Sequence, residues 1–122
     1  QHVLEPLFIY LTIAMKQYED KQYAGYYNVG PDDRDCVTTG ALADLFCEAW
    51  GEKIKWVNQY DGGPHEANFL KLDCSKIKKV FGWQPRMDIQ QAVNWTVQWS
   101  KAYFDGQEIL EVMDKQIKEF FA

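Results

Sequence analysis

The strongest constraint on this chain is helical: apolar residues recur at three- and four-residue spacing in four separate stretches, each bounded by a capping residue or a glycine. In the first, residues 2–23, Pro6 suits an opening helical turn because its missing N–H would be unpaired there, and Leu7, Phe8, Leu11, Ala14, Met15 and Tyr18 fall on one face. In the second, Thr38 or Thr39 can cap a helix carrying Leu42, Leu45, Phe46, Ala49 and Trp50, which Gly51 stops. In the third, Asp88 with Gln91 forms a capping-box pattern ahead of Ile89, Ala92, Val93, Thr96, Ser100 and Tyr103, predicting a helix to about Phe104. After Asp105-Gly106, the stripe Ile109, Val112, Met113, Ile117 and Phe120 predicts a last helix. A shorter helix is expected from a cap at Asp73 through Phe81, closed by Gly82.

Between these helices the pattern changes. Residues 26–29 are aromatic and β-branched between Gly25 and Gly30-Pro31, as in a buried strand. Residues 53–57 alternate polar and apolar and predict a second strand, and residues 69–72 a short third one. A polar loop spans 32–36, and Asp61-Gly62-Gly63-Pro64 reads as a turn. The fold class expected is therefore α/β: a small, mixed, helix-rich lobe with two or three short strands. With 122 residues and no repeat or linker, the chain is read as one domain, residues 1–122.

Net charge of −5 gives no general attraction to nucleic acid or anionic membranes. The longest apolar stretch, residues 6–15, falls well short of the roughly 20 residues needed to cross a bilayer. Cys36, Cys47 and Cys74 are odd in number and widely spaced, and only two histidines accompany them. That supports neither a disulfide framework nor a zinc site, and the compartment expected is the reducing cytoplasm. The chain opens at Gln1 rather than Met and is read as a piece of a longer protein.

No glycine-rich phosphate loop, metalloprotease helix or nucleophile elbow is present. His65-Glu66 stands in a loop where a carboxylate could accept hydrogen bonds from sugar hydroxyls and the imidazole donate one. The plainer alternative is two solvated loop residues. Arg34 could reach a phosphate, but Asp32, Asp33 and Asp35 favour a surface ion pair. Lys71, Lys76, Lys78 and Lys79 could bind an anion, although such a run is ordinarily a solvated helix face. Trp83, Trp95, Trp99, Tyr103 and Phe104 could stack on a base, but their near-helical spacing favours packing in a core or between domains.

The series Gln1-His2-Val3-Leu4-Glu5-Pro6-Leu7, Tyr26-Tyr27-Asn28-Val29-Gly30-Pro31, Pro64-His65-Glu66-Ala67, Leu70-Lys71-Leu72-Asp73-Cys74-Ser75-Lys76 and Phe81-Gly82-Trp83-Gln84-Pro85 occurs in this order. Taken together it resembles the C-terminal part of extended short-chain dehydrogenase/reductase enzymes acting on nucleotide sugars, over nearly the whole chain. The resemblance implies a substrate-binding lobe whose N-terminal partner, an NAD-binding Rossmann domain with a glycine-rich turn and a Tyr-x-x-x-Lys pair, is not in these residues. No catalytic residue and no cofactor-binding residue is expected in the chain itself, and the isolated piece is expected to be inactive. The reaction implied is dehydration of a nucleotide sugar in deoxysugar formation, with CDP-glucose the expected ligand. Another dehydratase or epimerase of the superfamily, or a non-enzymatic interaction module, remains the alternative.

By the same resemblance Glu66 holds the nucleotide part of the substrate. Gly63 stands where related dehydratases have arginine, which makes His65 or an arginine upstream of Gln1 the substitute contact, with Asn68 nearby. A homo-oligomeric parent protein is expected, and an apolar face left exposed where the Rossmann lobe would pack.

Overall fold

In the computed structural model, residues 1–51, 53–59 and 71–122 are described, and every regular element among them is helical. Five α-helices follow one another: α1 (Leu4–Glu19), α2 (Thr39–Trp50), α3 (Ser75–Phe81), α4 (Ile89–Phe104) and α5 (Ile109–Phe121). Short 3-10 turns at Lys21–Tyr23 and Asp33–Asp35 lie between α1 and α2. None of the helices is long and apolar enough to cross a membrane.

The α/β expectation is thereby corrected. Residues 26–29 have no regular structure: Tyr27 and Val29 pack inward and Tyr26 is exposed, but no ladder runs along them. Alternation in a sequence reports that one side of an extended segment is buried; it does not report that a second strand lies beside it. What joins this segment to its neighbour is a side chain: Asn28 Nδ2 donates to the Asp73 carbonyl at 3.1 Å. Residues 53–57 are likewise not a strand. Trp56 leans on α2 instead, its ring against Gly40 and its Nε1 donating to Asp44 at 2.9 Å. Of the third expected strand, Phe69 and Leu70 lie outside the described residues, and Lys71 and Leu72 have no regular structure.

The caps fall where the local chemistry puts them. Thr38 accepts from the Ala41 N–H, and Asp88 and Gln91 form a reciprocal capping box. Gly51 and Gly82 close α2 and α3 at φ of 75° and 62°, values that side chains with a Cβ adopt at a cost. The Asp73 carboxylate accepts from the Ser75 N–H at 2.9 Å, so it serves the first turn of α3 from the position before the N-cap residue, Cys74.

Two patches of core follow. Ile9 of α1, Cys74, Ile77 of α3 and Trp83 are buried together, with Phe8, Ile13, Tyr27, Val29 and Phe81 around them. On α4, Ala92, Val93, Val97 and Ala102 are buried, α2 and α5 pack on that helix, and Gln116 Nε2 of α5 donates to the Trp95 carbonyl.

Glu5 joins these parts. It is 1% exposed, and its Oε1 accepts from the N–H groups of Arg86 (2.6 Å) and Met87 (2.8 Å) in the turn that enters α4. The Arg86 guanidinium lies near the rings of Phe8 and Phe120 and donates to the Phe120 carbonyl, adding α5 to the same joint. Nearby, Asp35 Oδ1 accepts from the Ile89 N–H at 2.9 Å.

α1 departs from its expected orientation. Of the face read as core-forming, Phe8 packs against the core, whereas Leu7, Leu11, Ala14, Met15 and Tyr18 are exposed, Leu11, Met15 and Tyr18 at 65%, 64% and 95%. The buried side is the one carrying Glu5 and Ile9, with Phe8 and Ile13 beside them.

Replacing Glu5 by Ala strands two buried N–H donors. Urea unfolding is expected to show a loss of about 2–4 kcal/mol for Glu5→Ala, and a smaller loss for Glu5→Gln, which keeps an acceptor.

Candidate functional site

The residues expected to contact the ligand, His65, Glu66 and Asn68, lie outside the described residues, which resume at Lys71. The chain that resumes at Lys71 is anchored through polar contacts. A cleft of about 430 Å³ opens there, walled by Pro31, Asp32 and Asp33 on one side and by Lys71, Asp73 and Ser75 on the other. Lys78 of α3 pairs with Asp32, and Lys71 with Asp33. Asp32 holds the Lys78 ammonium above its ordinary pKa, so that lysine stays protonated. The Ser75 hydroxyl and N–H hold Asp73 below the usual carboxylate range.

Cys74 lines the same cleft from the core. Its thiol is pushed up chiefly by burial, which keeps it protonated and a poor nucleophile. The cleft therefore presents cations already paired with carboxylates, an arrangement suited to accepting from and donating to hydroxyls. Among the described residues no cluster of three or more His, Cys, Asp or Glu could hold a metal ion.

One plain reading holds, one is refined and one holds in part. Arg34 sits 3.5 Å from the Asp35 carboxylate and is otherwise exposed, as a surface ion pair. The basic run is not merely solvated: Lys71 and Lys78 are bound across the cleft, and Lys76 lies over the Tyr27 ring. Of the aromatics, Trp83 is core, whereas Trp99, Tyr103 and Phe104 are exposed on α4, the first two stacked with planes 6° apart.

The Asp32–Lys78 and Asp33–Lys71 pairs and the Arg86 joint were not foreseen. Their members are tens of residues apart, and only complementary charge between residues 32–35 and the lysine run hinted at the first two.

A second cavity, about 480 Å³ and apolar, lies between the start of α1 and the pair α4 and α5, lined by His2, Val3, Leu7, Trp99, Met113 and Ile117. Here the His2 imidazole is edge-on to Trp95, and its Nδ1 accepts from the Leu4 N–H at 3.3 Å, doing the work of a helix cap. Burial lowers its pKa below the ordinary 6.5.

No family model matches the chain. It is 35% identical over 123 residues to CDP-glucose 4,6-dehydratase of Salmonella typhimurium (strain LT2), a match that takes in all of this chain and the C-terminal 34% of that enzyme. The similarity to the C-terminal part of a nucleotide-sugar enzyme, read from five sequence blocks, is thus found along the whole chain. The chain spans about a third of the length of the curated relative it matches.

Two outcomes are expected from the site's titrating groups. Iodoacetamide on the native protein should label Cys36 and Cys47 well before Cys74, the order read by peptide mass spectrometry. Because folding depresses the His2 pKa, the unfolded chain takes up that proton first as pH falls below 6.5. Stability should then decline with falling pH until the folded pKa is passed and level off below it, a slope that His2→Gln should remove in urea titrations between pH 7 and pH 4.

Proposed function

We propose that this chain is the substrate-binding portion of a CDP-glucose 4,6-dehydratase, a lyase that converts CDP-glucose to CDP-4-keto-6-deoxyglucose and water. The observation that carries the reading is the 35% identity running over the entire chain to the C-terminal part of an enzyme of that name. The chemistry of the sequence agrees with it. In the sequence His65, Glu66 and Asn68 stand a few residues before Lys71, whose ammonium is tied to Asp33 across the polar cleft. In this reading Glu66 accepts hydrogen bonds from hydroxyls of the nucleotide part, while His65 and Asn68 add donors beside it.

The dehydratase needs NAD to carry hydride. The described residues do not fit that group, since they include neither a strand nor a glycine-rich turn leading from strand to helix. The dinucleotide belongs on the N-terminal portion of the full-length protein, and the residues of this chain bind and orient the sugar nucleotide and exclude water around it. The full-length protein is proposed to be cytoplasmic, consistent with three free cysteines, and homo-oligomeric.

The test is to incubate the full-length protein with CDP-glucose and NAD and follow loss of one water by mass spectrometry. The expected result is turnover by the full-length protein and none by the 122-residue chain. Turnover of a different nucleotide sugar, with CDP-glucose untouched, would overturn the substrate assignment. Within an active enzyme, Glu66→Ala should raise KM at least about tenfold with little change in kcat, because it removes binding shared by ground and transition states. An unchanged KM takes Glu66 out of the pocket.

A further inference from the structure

The hydrogen bonds that hold the first turn of α1 leave two buried polar atoms over. Glu5 is 1% exposed and spends Oε1 on the N–H groups of Arg86 and Met87, while its second oxygen, Oε2, is buried and accepts from no group among the described residues. Trp83 is 5% exposed, and its indole Nε1–H, likewise buried, donates to none of them. One atom is an acceptor without a donor and the other a donor without an acceptor. Each carries a desolvation cost comparable to a lost hydrogen bond. Both border the same space. Glu5 and Ile9 stand four residues apart on α1, hence on one side of it with a rise of about 6 Å between them, and Ile9 shares a buried cluster with Trp83. From the other direction, Trp83 stands three residues before Arg86, whose N–H Glu5 holds. The carboxyl group and the indole are therefore brought together twice, through α1 and through residues 83–86.

We propose that a single water molecule is bound between Trp83 and Glu5, accepting from the indole Nε1–H and donating to Oε2. The neighbours leave it this role. Ile9 and Ile77 have no polar atom to offer, the Tyr27 hydroxyl spends its proton on the Tyr23 carbonyl at 2.8 Å, and the Cys74 thiol is turned to the carbonyls of Gly30 and Leu72. Water is the ligand class that fits, because it gives and takes hydrogen bonds at once, and a buried water is held by two to four such partners. With it in place the whole carboxyl group of Glu5 is hydrogen-bonded, and Trp83 joins the contact that seats α1 on the entrance of α4. Its ring packs in the core while its N–H serves a polar joint. The site is a property of the fold and is independent of the reaction proposed above.

The test is a crystal structure of the full-length protein at a resolution that shows ordered solvent. One water within about 3.2 Å of both Trp83 Nε1 and Glu5 Oε2 is expected. A direct hydrogen bond between the two atoms overturns the proposal, and so does a protein group bonded to either of them or a site without water. A double-mutant cycle reads the same link in solution. Trp83→Phe removes the N–H and keeps a ring in the core, and Glu5→Gln puts a donor where Oε2 accepts. Each is expected to lower the urea midpoint of the full-length protein. The double variant is expected to lose clearly less than the sum of the two, because either change already breaks the bridge. The cycle cancels the packing lost with the indole, which is the same in both backgrounds, so additive losses overturn the proposal.

Discussion

The carboxylate of Glu5 is the contact through which the rest of the structure is assembled. A polar side chain taken out of water is costly unless it is hydrogen-bonded. Glu5 finds two donors in the backbone of Arg86 and Met87, more than eighty residues along the chain. That contact fixes the first turn of α1 against the entrance of α4. The Arg86 guanidinium then reaches the aromatic rings at the end of α5, so one turn gathers three helices. Asp35, buried and bound to the first N–H of α4, adds the stretch before α2 to the same place.

With α1 held this way, its inner side is committed to Ile77 and Trp83 and its outer side is left apolar and bare. Helical spacing shows apolar residues on more than one side of such a helix and does not say which side meets the core. The orientation of α1 is set instead by a buried carboxylate, a residue that a hydrophobic pattern counts as polar.

Much of the local structure was legible. Thr38, Asp88 with Gln91, Gly51 and Gly82 mark helix ends because the donors and acceptors they satisfy lie within four residues, and the five helices fall close to the expected positions. The strands were not, because extended backbone becomes a strand only when a partner lies beside it, and residues 26–29 and 53–57 find side-chain anchors at Asn28 and Trp56 instead. For the site, residues 32–35 and the lysine run were each visible, but the pairing of Asp32 with Lys78 joins positions 46 apart and exists only after the chain has folded.

Where the helices start and stop, the lack of the motifs of a self-sufficient catalyst, and the family of proteins the chain resembles are all legible before folding, since all three are carried by residue types at short, fixed spacings. Only the tertiary structure decided which side of α1 is core, that Lys71 and Lys78 are spent on Asp33 and Asp32, and that one apolar surface joins α1 to α4 and α5. Those outcomes depend on which distant groups meet. A buried carboxyl group seeking donors and an apolar face seeking cover are satisfied by position in space, and spacing along the chain does not encode that position.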